Sequence, residues 1–274
     1  DEVHQAFNFA FLAAGWDGAG LREVITSSLT ELDAVGATTT WVLSNHDVVR
    51  HTSRFGSDRP TGLLPGIGAD DPQPDAELGL RRARAATVLM LALPGSAYLY
   101  QGEELGLPEH TTLDYAERQD PVWSRTERRE RGRDGRRVPR PGDSAAPAYG
   151  FSPTGKSWLS QPAAFADHAL DRQRGMPGST YELYREALRL RRELRLGSGS
   201  LEWVDEVDGE PVPQGVLALL NRGVLVLANL GGTAVEVPAG FTVVLRSDGS
   251  DDAGSDHRSL VGPGCTVWAV SAAR

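Results

Sequence analysis

Cysteine, lysine and methionine are scarce in this 274-residue chain: it has one cysteine, two methionines and a single lysine, Lys156. Cys265 standing alone excludes a disulfide within the chain, and the six histidines are too scattered to give zinc-ligand spacing. Neither a metal nor a cofactor is therefore expected. A lone thiol suits a reducing compartment, so the expected location is cytoplasmic. No run of eighteen apolar residues is present, which argues against a membrane-crossing helix and a membrane partner. Positive charge is also in deficit, 28 basic against 37 acidic residues, and a net charge of −9 speaks against a general nucleic-acid binder. No strand-like run leads into a G-x-G-x-x-G or G-x-x-x-x-G-K loop, so a nucleotide-binding reading is disfavoured.

With 40% hydrophobic and 24% charged residues, the chain has enough apolar material for one large domain or two smaller ones. The first residue is aspartate rather than methionine. Residues 3–12 are already apolar and strand-like without leader composition, so a fragment that begins upstream is expected. The near-exclusive use of arginine over lysine reads as a trait of a GC-rich coding sequence.

Periodicity organises the rest. Leu21, Val24, Ile25, Ser28, Leu29, Leu32 and Val35 recur at helical spacing until Gly36 offers a C-cap. Residues 38–43 are β-branched and aromatic, and a long Gly-, Pro- and Asp-rich connection over 44–74 follows. Asp75 can cap a helix carrying Leu78, Ala85, Val88, Leu89 and Ala92 before Pro94 and Gly95 stop it, and residues 96–100 read as another strand. Strand, helix, strand, helix, strand implies parallel βα units.

No period persists over 103–178. Within it, residues 117–140 carry nine arginines and five acids, a charge run that reads first as a solvated face. Ser179, Thr180, Tyr181 and Glu182 form a capping box ahead of an apolar stripe of Tyr184, Ala187, Leu188, Leu190 and Leu194. Beyond a linker at 197–200, Val- and Leu-rich runs at 216–220, 224–230, 234–237, 241–245 and 266–270 predict an antiparallel β domain over 201–274. Its Trp203, Phe241 and Trp268 read as core residues. Residues 248–256 lack the spacing of a known calcium loop and read as a hairpin tip.

The chemistry-bearing motif is Ser44-Asn45-His46-Asp47 directly after the strand at 38–43. Its Asn-His-Asp tripeptide is also what a capped turn looks like, but the C-terminal ends of parallel strands carry the active site in βα barrels. The run Trp-Val-Leu-Ser-Asn-His-Asp-Val-Val-Arg at 41–50, with Ser-Arg-Phe-Gly at 53–56, resembles a segment of the α-amylase family of glycoside hydrolases (family 13), in its α-glucosidase and oligo-1,6-glucosidase branch. Leu-Pro-Gly-Ser-Ala-Tyr-Leu-Tyr-Gln-Gly-Glu-Glu-Leu-Gly at 93–106 resembles the last barrel strand of that family. Gln119-Asp120-Pro121, residues 133–139 and Gly150-Phe151-Ser152-Pro153 resemble the segment that borders its sugar pocket.

The resemblance implies an α/β fold: the C-terminal part of a (β/α)8 TIM barrel (strands 6 to 8) over 1–198, with a long excursion at about 103–178, followed by a small all-β domain at 201–274. It implies a fragment of a retaining α-glucosidase that hydrolyses terminal α-linked glucose from oligosaccharides. A trehalose synthase, a transglucosidase and a catalytically inactive sugar-binding fragment are the alternatives. Asp47 matches the family's transition-state-stabilising carboxylate, and His46 its sugar-binding neighbour. Arg137 is similar in position to an arginine of the sugar-carboxylate cluster, although a plain surface arginine is the competing reading. Retaining glycosidases place a nucleophile and an acid/base carboxylate about 5 Å apart. No segment here matches those two, so the chain alone is expected to be inactive and its missing N-terminal part is an expected partner, beside an α-glucoside oligosaccharide. Where the family usually has Pro-Trp or Gln-Trp, this chain reads Arg140-Pro141-Gly142.

Overall fold

The computed structural model describes residues 6–58, 65–250 and 259–271. They form two compact units, one drawn from Asp1–Val42, Arg84–Tyr98 and Leu183–Arg274, the other from Leu43–Ala83 and Leu99–Glu182. No helix among the described residues is long and apolar enough to cross a membrane.

In the first unit, Phe7 makes a parallel bridge to Thr40, and β1 (Thr40–Val42) runs parallel to β2 (Ser96–Tyr98) with Trp41 opposite Ala97. The strand expected over residues 3–12 does not extend as far as its apolar pattern. Residues 3–5 lie outside the described ones, and Asn8 accepts a hydrogen bond from Phe11 N at 2.8 Å, capping a short helix α1 (Phe9–Ala13). Asp17 accepts from Ala19 N and Gly20 N and so starts α2 (Gly18–Asp33), which buries Leu21 and Ile25 on one stripe. Val35, expected on that stripe, is beyond the helix end and 74% exposed.

After the four-residue α3 (His51–Arg54) comes α4 (Ala76–Ala92), whose second half belongs to this unit. Its Val88, Leu89, Leu91 and Ala92 are buried. Its C-terminal carbonyls, which have no partner within a helix, meet a guanidinium. Arg191 donates to Leu91 O at 2.6 Å, Leu93 O at 2.7 Å and Gly95 O at 2.5 Å. Asn221 adds a bond to Ala92 O at 2.7 Å.

The β-rich part contains a five-stranded antiparallel sheet in the order β3-β6-β7-β11-β9. Its strands are β3 (Glu202–Trp203), β6 (Val216–Asn221), β7 (Val224–Asn229), β9 (Phe241–Arg246) and β11 (Cys265–Ser271). Two small pairs, β4 (Glu206–Val207) with β5 (Glu210–Pro211) and β8 (Val235–Glu236) with β10 (Leu260–Val261), are interspersed with its strands in sequence. The β6–β7 hairpin turns on Arg222 and Gly223, both at positive φ (52° and 78°), the primed geometry that suits the twist of paired strands.

The strands β7 and β11 are apolar on both faces because each face is covered. One side packs Leu225, Leu227, Val267 and Ala269 against Val237 and Val261. The other carries Trp268, wholly buried, whose indole donates to Val88 O of α4 at 3.0 Å. Trp203 and Phe241 are half-buried, and of the two Phe241 packs against the core that holds Val237 and Val261, as expected. Trp203 sits under the Arg22 guanidinium, 4.6 Å from its ring centroid, so its ring completes a cation–π contact and not a core. The expected hairpin tip at 248–256 lies mostly outside the described residues, and its Asp248 is paired with Arg246 at 2.9 Å.

The second unit is mostly irregular. It holds α3, the start of α4, α5 (Pro121–Arg125), α6 (Leu170–Gln173) and single 3-10 turns, and α7 (Thr180–Glu193) starts in it. Ser179 caps α7 as the sequence indicates, but Glu182 accepts from Gly175 N at 2.7 Å in place of the reciprocal bond. Apolar side chains still find one another without a period: Leu105, Leu107, Leu113, Val138, Leu159 and Phe165 form one cluster. The arginine-rich stretch is not simply a solvated face. Arg118, Asp120, Asp134 and Arg136 are all buried, each because a charged or backbone partner replaces its water.

Candidate active site

The site is built in the second unit around the turn that follows β1 in sequence. Asn45 is an Asx turn residue whose Oδ1 accepts from Asp47 N at 2.8 Å, which turns the chain so that His46 and Asp47 stay half-exposed, 60% and 48% by side chain. Behind them Ser44 Oγ and His51 Nδ1 are 2.9 Å apart, and Ser44 Oγ also accepts from His51 N at 2.9 Å, closing the turn onto α3. Arg54, wholly buried, donates to Leu43 O at 2.6 Å. Glycine is needed here on both sides of a close approach. A Cβ on Gly79 of α4 would lie 2.1 Å from Thr52 O, and one on Gly56 would lie 2.1 Å from Asp75 O.

Buried charge supports the backbone of this turn. Arg50 donates to Gln101 O at 2.8 Å and Arg136 O at 3.0 Å while stacking 4.8 Å from the Tyr100 ring centroid. Arg136 in turn donates to Asp47 O at 3.0 Å and pairs with Glu109 at 3.3 Å, and Glu109 Oε2 accepts from Arg50 N at 3.3 Å. Glu109 and Arg136 thus pair as opposite buried charges, whereas the Arg50 guanidinium is held by two backbone carbonyls and the Tyr100 ring and reaches Glu109 only through its backbone N–H.

Arginines also hold the Asp47 side chain. Arg133 Nη1 donates to Asp47 Oδ1 at 2.9 Å and Arg137 Nη2 donates to the same oxygen at 3.1 Å. His46 Nε2 lies 3.4 Å from Oδ2, and Arg137 Nε bonds the His46 carbonyl at 3.1 Å. Partial burial by itself would raise the carboxyl, but the Arg133 hydrogen bond and the neighbouring His46, Arg133 and Arg137 outweigh it and hold Asp47 below the usual aspartate value. The result is a permanent anion at neutral pH, open to solvent on one side. Asp47 lines a 540 Å³ cleft with Pro65, Asp120, Pro121, Arg125 and Arg133 among its walls.

Three carboxylates around this turn serve different ends, and of them Asp120 lines the cleft. Asp120 accepts from Val122 N at 3.0 Å, Arg133 N at 2.9 Å and Arg133 Nε at 2.5 Å. Burial opposes its charge, yet these bonds bring its carboxyl down to about 2. Asp134, wholly buried, accepts from Gln119 N at 2.8 Å and Asp120 N at 2.9 Å, fixing the turn that presents Asp120. Glu103 behaves in the opposite way: burial pushes it up to about 8, and neither carboxyl oxygen has a hydrogen-bond partner. Arg140, at the place where the sequence departs from the family pattern, pairs with Glu104.

Asp47, His46 and Arg137, the three residues singled out from sequence, therefore come together, with Arg137 bonded to both of the others. Arg133, Arg136, Asp120 and Glu109 complete the arrangement and were not singled out. Asp120, Arg133 and Arg136 lie in the stretches that resemble the pocket-bordering segment, but within an arginine-rich run nothing marked them individually, and Glu109 lies outside that run. What the arrangement can do is present one fixed anion at the wall of the cleft, with an exposed imidazole beside it, to hydroxyl donors. Among the described residues no group of three or more His, Cys, Asp or Glu side chains is placed to hold a metal ion.

Known proteins share both sequence and fold. The chain is 33% identical over 207 residues to a probable alpha-glucosidase of Rhizobium meliloti (strain 1021), covering 75% of this chain and 34% of that protein. Among solved structures it is similar to an alpha-glucosyl transfer enzyme, XgtA, with TM-score 0.71 and 28% identity over 96% of this chain and 45% of the other. It also shares the fold of the Bacillus licheniformis trehalose-6-phosphate hydrolase, with TM-score 0.72, 22% identity, and coverage of 98% and 51%. These structures are TIM-barrel enzymes with a β-rich C-terminal region. The chain spans about a third of the length of the curated relative and about half of the solved chains. The profile of the alpha-amylase catalytic domain matches residues 3–198, and the chain belongs to the α-amylase family.

Proposed function

We propose that this chain forms part of a retaining α-glucosidase of the α-amylase family, contributing barrel strands 6 to 8 and, in Asp47, the carboxylate that stabilises the transition state. The observation that carries the reading is the Asp47 side chain itself: an anion fixed by two guanidinia through Oδ1, with His46 beside Oδ2, at the wall of a solvent-open cleft. As a glycosidic C–O bond breaks, positive charge grows on the anomeric carbon and ring oxygen. Hydroxyls on the same ring become stronger donors, and bonds from them to Asp47 strengthen with that change. His46 and Arg137 orient the sugar. The nucleophile and the acid/base carboxylate of a retaining mechanism belong to segments this chain does not match, and substrates ending in α-linked glucose follow from the relatives. Likeness to a glucosyl transfer enzyme supports a second reading, in which an acceptor sugar replaces water.

The test is turnover of p-nitrophenyl α-glucoside by the 274-residue chain and by the same chain completed with a family segment that carries the carboxylate pair. The expected result is no turnover by the chain alone, and turnover by the completed protein that falls by roughly 10²- to 10⁴-fold on Asp47→Asn. Turnover insensitive to that substitution would overturn the assignment. Product analysis separates free glucose from a new glucoside.

A further inference from the structure

Asp47 is not held by a free surface arginine. Arg133 turns Nε and Nη2 toward Asp120, at 2.5 and 3.3 Å, and only Nη1 toward Asp47, at 2.9 Å. The side chain of Asp120 is 1% exposed, whereas that of Asp47 is 48% exposed. A guanidinium is a planar fork with fixed donor directions, so clamping one edge to an enclosed carboxylate dictates where the remaining donor points. Asp120 is itself fixed, by Val122 N and Arg133 N on its oxygens and by Asp134 on its backbone amide.

We infer that Arg133, aimed by the buried Asp120, is a positioning residue that locks Asp47 Oδ1 and thereby reserves Oδ2, beside His46, for the substrate's hydroxyls. The inference rests on the reading of Asp47 as the stabilising carboxylate. The physical gain is preorganisation: a half-exposed aspartate on a turn would otherwise sample several rotamers, and only one presents its free oxygen to the sugar. Arg137 bonds the same Oδ1 but is tied to the His46 carbonyl, on the turn itself, so it moves with Asp47. Arg133 connects the Asp47 side chain to an enclosed anchor, whereas Arg136, paired with the enclosed Glu109, holds the backbone carbonyl.

The experiment is a ¹³C NMR titration of aspartate-labelled full chain, with the Asp47 carboxyl resonance identified by its loss in Asp47→Asn. The titratable and charged groups around Asp47 are His46, Arg133 and Arg137, with Arg136 on its backbone carbonyl and Asp120 behind Arg133. Arg133→Gln should raise the Asp47 midpoint by about one pH unit. Asp120→Asn should raise it too, although removing a nearby negative charge would by itself lower it. In the Arg133→Gln background, Asp120→Asn should add no further rise, because Asp120 acts only through Arg133. Arg133→Lys, which keeps the charge without the fork, should fall between wild type and Arg133→Gln. An unchanged midpoint in Arg133→Gln, or an equal rise from Asp120→Asn with and without Arg133, would overturn the inference. Should Asp120→Asn not fold, the half-exposed Arg133 variants decide alone. The titration needs no turnover, so its failure leaves the glucosidase reading standing, and an inactive completed protein leaves this one standing.

Discussion

His51 Nδ1 and Glu103 Oε1 lie 3.9 Å apart, both enclosed, and at neutral pH the acid keeps its proton while the imidazole lacks one. Burial dominates both: it brings His51 down to about 3, helped by Arg54 and Arg50, and pushes Glu103 up to about 8. The contact is therefore a meeting of two neutral groups and not an ion pair.

This has a pH signature. Between 4.5 and about 8 the native state keeps a proton on Glu103 that the unfolded chain has released, so stability from Glu103 is lost as pH rises through that window. Between 6.5 and about 3 the unfolded chain protonates His51 and the native state does not, so stability is lost as pH falls. The two oppose each other from 4.5 to 6.5, giving a flat region with losses on either side. Glu103→Gln should remove the alkaline loss and gain a few kcal/mol relative to wild type at pH 8 compared with pH 5. Urea unfolding at pH 5, 6.5 and 8 measures it, and parallel pH profiles for the two proteins would count against the neutral pair.

Arg191 supplies three charge-assisted hydrogen bonds to carbonyls at and just beyond the C-terminal end of α4. Arg191→Met keeps much of the apolar stem but strands those oxygens, and should cost about 3 kcal/mol in thermal or urea unfolding. Arg191→Lys should recover only part, since one ammonium cannot span all three acceptors.

Gly79→Ala would ordinarily favour a helix by about 1 kcal/mol. Here the added methyl meets Thr52 O at 2.1 Å, backbone against backbone, so the substitution should destabilise by more than about 2 kcal/mol. Gly36→Ala is the control: nothing lies within 4 Å, and only its φ of +65° is strained, so the loss should be about 1 kcal/mol. Equal losses at the two positions, read from denaturant midpoints, would mean that the close approach is not what demands glycine.

Cys265, 3% exposed, has its thiol pushed up to about 11, first by burial. The native chain should not react with a disulfide reagent at pH 8, and one thiol should appear on adding denaturant. Rapid labelling of native protein would contradict the packing of β11.

The elements legible in the sequence are those whose burial has a period. β6, β7, β9 and β11 coincide closely with the Val- and Leu-rich runs, and α4 begins where Asp75 accepts from Leu78 N. Where a polar side chain decides, pattern misleads: Asn8 turns an apolar run into a helix by capping Phe11 N. In the second unit the cluster of Leu105, Val138 and Phe165 draws on residues dozens of positions apart, with no period to find. The Asp47 motif was legible as a string, but its supports were not. Arg133 and Asp120 are meaningful only as a pair across thirteen residues, and nothing in an arginine-rich run says which guanidinium meets an enclosed carboxylate.

Every cation bonded to Asp47 or its backbone carbonyl is an arginine, and the chain's one lysine, Lys156, is exposed on a separate surface hollow beside Glu117 and Tyr149. Acetylation, carbamylation and amine-directed crosslinking therefore have no side chain to work on at the site. A dicarbonyl that condenses with guanidinium groups would strike Arg133 and Arg137 directly, making glycation by such compounds, and not lysine modification, the covalent damage to which this site is vulnerable.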